Sequence, residues 1–162
     1  MKYKKALEAT SSASTTNLDE FRDKHTPTFT KFVSHWSPDT VKSEVMSVYA
    51  QDAYFNDTLK ELTGRDQIAE YMERSLGATT GVAVEVNDIA YGNSDFYYRW
   101  TMKIYFKSLN NRNPGVSEGM SQIRYTEDGL IALHRDFWDA ASGIFEYLPV
   151  FRSAMPWVKG KF

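Results

Sequence analysis

Between residues 82 and 106 the chain alternates apolar and polar side chains with a period of two, and no other feature narrows its fold as much. Phe96, Tyr98, Trp100, Met102, Ile104 and Phe106 interleave with Tyr97, Arg99, Thr101, Lys103, Tyr105 and Lys107, and Val82, Val84 and Val86 interleave with Ala83, Glu85 and Asn87. Successive side chains of a strand point to opposite faces, so each run is a strand with one face in a core and the other in polar surroundings. Asn110-Asn111-Arg112-Asn113-Pro114-Gly115 reads as a hairpin loop, and Asp128-Gly129 as a tight turn between strands near 116–126 and 130–139. The second half of the chain is therefore a meander of long antiparallel strands.

The first half has a helical period. Residues 1–16 end in the small polar run Ala9-Thr10-Ser11-Ser12-Ala13-Ser14-Thr15-Thr16, which has too little apolar surface to offset its ordering entropy, and a flexible tail is expected there. Asn17 and Glu20 suit a helix start, and Pro27 is expected to break or kink that helix before Phe29, Phe32, Val33 and Trp36 resume a helical stripe. Ser37-Pro38-Asp39 opens a second helix that carries Val41, Val45, Val48 and Tyr49 on one side. After a short strand over 53–56, Gly64 precedes a third helix through Leu76, with Glu70 and Arg74 one turn apart and Gly77 as the stop. Helices followed by strands give an α+β domain over 17–162. The segment after Ala140 is dense in aromatics (Phe145, Tyr147, Phe151, Trp157, Phe162) and is expected either to cover one end of the domain or to lie across a partner subunit.

A formal net charge of −2 leaves no basic field for a phosphate backbone, so the expected partner is a small molecule rather than nucleic acid. No apolar run approaches the roughly 20 residues that span a bilayer, and Met1 to Glu8 lacks the apolar core of a secretory signal; no membrane partner and a cytoplasmic location are expected. With no cysteine, any chemistry falls to carboxylates, histidines, tyrosines or hydroxyls. His25, His35 and His134 show no ligand spacing, so no metal site is expected.

Two stretches carry a resemblance. Tyr49-Ala50-Gln51-Asp52-Ala53-Tyr54-Phe55-Asn56-Asp57, running on to Thr63-Gly64-Arg65-Asp66-Gln67-Ile68, and Asp128-Gly129-Leu130-Ile131-Ala132-Leu133-His134-Arg135-Asp136-Phe137-Trp138-Asp139 resemble the two halves of the nuclear transport factor 2-like superfamily, which includes ketosteroid isomerases and SnoaL-type polyketide cyclases. The resemblance implies a cone-shaped roll in which N-terminal helices pack on a curved, mainly antiparallel sheet around a pocket. It places Asp57 at the proton-shuttling carboxylate of ketosteroid isomerases and Trp138 at their pocket tryptophan. Alternation then puts His134 and Asp136 on the same face as Trp138.

The expected catalytic set is Asp57 as general base, His134 as proton shuttle and Asp136 as its partner, with Tyr54, Tyr98, Trp100, Ser121 and Trp138 shaping the substrate pocket. Opposite this stands a plainer reading, in which Asp57 caps the loop into Leu59 or pairs with Arg65, and His134 and Asp136 form a buried hydrogen-bonded pair or salt links to Arg99 or Arg124 across the sheet. Val33, with Phe32 beside it, and Ser121 stand where ketosteroid isomerases carry their oxyanion donors, which argues against steroid isomerisation. The implied activity is cofactor-independent proton abstraction next to a carbonyl in a hydrophobic small molecule, as in isomerisation, cyclisation or dehydration. The rival is a non-catalytic ligand-binding or dimeric association module, and a homodimer through the polar sheet face suits both.

Overall fold

The computed structural model describes residues 2–10, 18–92, 94–107 and 113–140. The proposed cap at Asn17, the tip of the 110–115 loop, most of the polar run before it and the aromatic segment after Ala140 lie outside the described residues. The elements are α1 (Lys2–Ala9), α2 (Leu18–Ser34), α3 (Val41–Val48), β1 (Tyr49–Asn56), β2 (Glu61–Thr63), α4 (Arg65–Gly77), β3 (Thr79–Tyr91), β4 (Phe96–Phe106), β5 (Gly115–Tyr125) and β6 (Ile131–Trp138).

The strands form one open sheet in the order β2-β1-β6-β5-β4-β3. All neighbours are antiparallel except β1 and β6, which run parallel and set Phe55 beside His134. That parallel pairing brings the end of the helical half next to the last strand, so residues about 80 positions apart in sequence share one face. The register of β5 with β6 places Ser121 opposite Asp136 and Ile123 opposite His134. A register shift between Val86 and Asp88 bends β3, as an added residue in one strand does.

Helices α2, α3 and α4 cover the inner face. Phe29, Phe32 and Val33 from α2, Val41 and Val45 from α3, and Ile68, Ala69, Met72 and Leu76 from α4 meet Phe96, Tyr98, Trp100, Ile123 and Ile131 from the sheet in one core. These are the positions that the helical and alternating periods mark as apolar. Contrary to the expected break, α2 runs through Pro27, which sits on its exposed side. A proline there removes one N–H, and the carbonyl it leaves unpaired one turn earlier is open to water. The second helix starts at Val41, three residues later than Pro38, because Ser37 first closes a turn with its carbonyl accepting from the Thr40 and Val41 N–H groups.

Residues 2–9, within the segment expected to be a flexible tail, form α1, which lies on the outer face of the sheet. Its inward stripe is Tyr3, Ala6, Leu7 and Thr10, spaced as one side of a helix. The Tyr3 hydroxyl donates to Gln122 Oε1 at 2.6 Å, and Arg124 Nη1 donates to the Leu7 carbonyl at 3.0 Å and to Thr10 Oγ1 at 3.1 Å. Arg124 is held from the other side by Asp95, with Nε 2.7 Å from Oδ1. Among the described residues no helix is long and apolar enough to cross a membrane.

Candidate functional site

A cavity of about 110 Å³ opens between the inner sheet face and helices α2 and α4. Val33 and Trp36 form one wall, Met72 and Leu76 another, and Val84, Trp100, Met102 and Trp138 the sheet side. Its polar lining consists of Asp57, Tyr71, Ser75, Ser121, His134 and Asp136. Of the expected site residues, Asp57, Trp100, Ser121, His134, Asp136 and Trp138 meet here, and Tyr54 and Tyr98 do not. Tyr54 precedes Phe55 on β1 and so faces outward, where its hydroxyl donates to Glu61 Oε1 and its ring lies 6.1 Å from that of Tyr3. Tyr98 points inward but lies below the cavity, packed 4.4 Å from the Phe29 ring and sharing a hydrogen bond with the Tyr125 hydroxyl.

The width of the sheet side depends on Gly119, which pairs with Trp100 on one side and Trp138 on the other. A methyl group at that position would overlap the Trp100 ring and Trp138 Cβ. With only hydrogen there, the two indoles flank the strand and bound the cavity. The Trp138 indole N–H donates to the Asp57 carbonyl at 2.6 Å, tying the end of β6 to the β1–β2 turn.

A buried chain of hydrogen bonds converges on Asp136. The Tyr49 hydroxyl is 2.5 Å from His134 Nδ1, and His134 Nε2 is 2.8 Å from Asp136 Oδ1. Ser121 Oγ donates to the same Oδ1 at 2.5 Å, and the Trp100 indole N–H donates to Ser121 Oγ at 2.9 Å. Burial pushes the Tyr49 hydroxyl well above the usual phenol range, with the Asp136 and Asp57 charges adding to the shift, so Tyr49 keeps its proton. With Tyr49 donating to Nδ1 and His134 donating from Nε2, every partner in the chain is satisfied. The chain occupies Oδ1 of Asp136; among the described residues Oδ2 accepts no hydrogen bond, and Asp136 lines the cavity.

Asp57 is held differently. Its Oδ1 accepts from the Leu59 N–H at 3.0 Å and the Lys60 N–H at 2.7 Å, the side-chain turn anticipated in the plainer reading of this residue. Its Oδ2 accepts from the Tyr71 hydroxyl at 2.5 Å. Burial raises the Asp57 carboxyl above the ordinary aspartate value; Tyr71 and the Lys60 and Leu59 N–H groups oppose that shift, and the Asp136 charge adds to it. Burial, with the Asp57 charge beside it, pushes the Tyr71 hydroxyl well above the phenol range.

Tyr71 escaped the sequence analysis, which read its helix only through the Glu70–Arg74 pair. The signal was present: Tyr71 lies three residues after the buried Ile68 and beside the buried Met72, on the edge of the inward stripe of α4. Among the described residues no group of three or more His, Asp or Glu side chains is placed to hold a metal ion.

Residues 29–134 match the model of the SnoaL-like domain family. No curated protein matches the chain. Among solved structures, a hypothetical protein with a ketosteroid isomerase-like fold from Catenulispora acidiphila, in complex with trimethylamine, aligns over 74% of this chain and 88% of its own at 16% identity and a TM-score of 0.62. An LEH-like epoxide hydrolase from M. tuberculosis aligns over 85% of this chain and 97% of its own at 15% identity and a TM-score of 0.61. A nuclear transport factor 2-like protein from Anabaena variabilis aligns over 76% and 90% at 10% identity and a TM-score of 0.58. At such identities the likeness is one of fold.

Proposed function

Since the chain belongs to the SnoaL-like domain family, we propose that its cavity takes a small, mostly apolar molecule bearing a carbonyl group and that Asp136 removes a proton next to that carbonyl. The observation that carries this reading is the buried relay from Tyr49 through His134 to Asp136, which fixes one carboxylate oxygen and, among the described residues, leaves the other open to a mostly apolar cavity. A base held in one orientation by neighbouring hydrogen bonds loses little freedom on reaching the transition state. Positioning falls to His134 and Ser121. Asp57, expected to be the base, already accepts three hydrogen bonds and is the weaker candidate for that role. A volume of about 110 Å³ suits a single ring rather than a fused polycycle.

The test is deuterium incorporation next to the carbonyl of monocyclic ketones in heavy water, followed by proton magnetic resonance. Wild-type protein should accelerate exchange, and Asp136→Asn, which can still accept from Ser121 and His134, should lower the rate by about 100-fold or more. Ketones that bind without exchanging would support the second reading, a ligand-binding module without turnover. That reading draws on the full engagement of His134 and Asp57 by protein groups. A homodimer through the outer sheet face belongs to the same proposal: α1 occupies the part around Gln122 and Arg124, and Val116 and Phe137 remain exposed for a second copy. Sedimentation of the full chain tests it.

A further inference from the structure

The donors bordering the cavity are nearly all committed. The Trp100 indole gives its N–H to Ser121, Ser121 and His134 give theirs to Asp136, and Trp138 gives its N–H to the Asp57 carbonyl. Among the described residues Trp36 Nε1 has no partner, but it is also buried without accessible surface. Ser75 sits at the exposed edge and is turned onto the Tyr71 hydroxyl, which its hydrogen bond reaches. Among the described residues, a ligand oxygen entering this cavity therefore finds a free donor inside only if one of the protein's own hydrogen bonds reverses direction.

The Tyr71–Asp57 contact can reverse. Asp57 Oδ1 is pinned by two backbone N–H groups, so the carboxyl stays in place whichever charge it carries, and Oδ2 has Tyr71 as its partner. With Asp57 ionised, the Tyr71 proton points at Oδ2 and away from the cavity. With Asp57 protonated on Oδ2, that proton points at Tyr71 Oη, and the phenolic proton can turn to a ligand oxygen in the cavity, in competition with Ser75 beside it. We propose that Tyr71 is the hydrogen-bond donor to the carbonyl oxygen of the ligand, and that binding draws one proton from solvent into the Asp57–Tyr71 pair.

The proton balance is simple: free protein carries Asp57 carboxylate and Tyr71 phenol, the complex carries Asp57 carboxylic acid and Tyr71 phenol, and one O–H bond forms at Oδ2 with none broken in the ligand. The groups that face the pair favour this uptake. Asp136 on β6 places a second carboxylate near it, His134 on the same strand is engaged with Asp136 and not with the pair, and Tyr49 on β1 is a neutral phenol. Burial acts in the same direction. Tyr71 is itself fixed by its ring, 5.9 Å from that of Phe55.

This inference rests on the carbonyl-binding reading above, and the experiment separates the two. Full-length protein is titrated with cyclohexanone labelled with carbon-13 at the carbonyl and with methylenecyclohexane, which has the same shape and no oxygen, from pH 4 to pH 9. In wild type, cyclohexanone affinity should fall as pH rises through the Asp57 pKa and level off about threefold to tenfold lower, where the donor is committed to the carboxylate; the bound carbonyl resonance should move downfield at low pH, and methylenecyclohexane should show no pH dependence. Asp57→Asn keeps an oxygen for the Leu59 and Lys60 N–H groups and presents an N–H to Tyr71, so its cyclohexanone affinity should be pH-independent. Tyr71→Phe should weaken cyclohexanone by about threefold to tenfold, abolish the carbonyl shift and leave methylenecyclohexane unchanged. Binding of both probes with no pH dependence and no carbonyl shift in wild type would overturn the role of Tyr71 while leaving the cavity reading intact; failure of both to bind wild type would overturn the cavity reading and the proposal with it.

Discussion

Replacing Tyr49 by Phe isolates one hydrogen bond in the driest part of the site. Tyr49 is 0% exposed and His134 1% exposed, and the hydroxyl lies 2.5 Å from Nδ1. Phenylalanine keeps the ring contacts with Phe32 and His134, at 5.9 and 6.0 Å between centroids, so no cavity larger than one oxygen opens. What remains is an imidazole nitrogen buried without a donor. Flipping the tautomer does not help, because Nδ1–H would then lack an acceptor and Asp136 would lose the Nε2–H that it accepts. An unsatisfied buried acceptor costs about 1–3 kcal/mol, and a midpoint figure of about 2 kcal/mol corresponds to a fall in Tm of about 4–8 °C for a domain of this size. Urea unfolding of Tyr49→Phe should show a lower midpoint with an unchanged slope. A loss below about 0.5 kcal/mol would refute the reasoning, since Nδ1 would then have another donor or never have needed this one.

The architecture was legible because its signals are local. Alternation along Phe96–Phe106 marks which residues face inward whatever the sheet's neighbours are, and the stripes of α3 and α4 do the same for the helices. The cavity was half legible for the same reason: His134, Asp136 and Trp138 share a face by period alone, and the parallel pairing of β1 with β6 brings them to Asp57. What alternation forbids should have removed Tyr54, because it stands next to the inward-facing Phe55 on β1 and adjacent strand residues face opposite ways. Depth along a strand has no such signal, and Tyr98 falls into the core because Phe29 and Tyr125 close over it. Partner choice was illegible as well. Whether Asp57 faces a ligand or two backbone N–H groups depends on a turn geometry in which Thr58 takes a positive φ of 72°, an unusual conformation for a β-branched residue. The docking of α1 on the outer face needed the three-dimensional placement of Gln122 and Arg124, since neither residue announces a helical partner 110 or more positions away.

Three further outcomes follow from the same geometry. Gly129 holds φ at 82° in the β5–β6 turn, and any Cβ there would overlap the His25 ring; Gly129→Ala should cost about 2 kcal/mol or more in urea unfolding, partly recovered by adding His25→Ala. Because the folded-state pKa of Asp57 is raised, ionising it disfavours the native state: the stability that its proton confers is complete below the unfolded value of about 3.8 and is lost as pH rises through the folded value. Asp57→Asn should therefore be more stable than wild type at pH 7, with the difference shrinking towards pH 4, and an advantage that grew on acidification would contradict the direction of that shift. Gly119→Ala separates cavity from core: the added methyl meets the Trp100 ring and Trp138 Cβ together, and neither is a flexible chain end. Trp100 is further held by its indole bond to Ser121. Relief comes from swinging one indole into the cavity that both line. Stability should fall by about 1–3 kcal/mol, and ligand binding should be lost beyond what that loss explains. If Gly119→Ala folds with wild-type stability and binds cyclohexanone as wild type does, the two indoles are not the walls of the site.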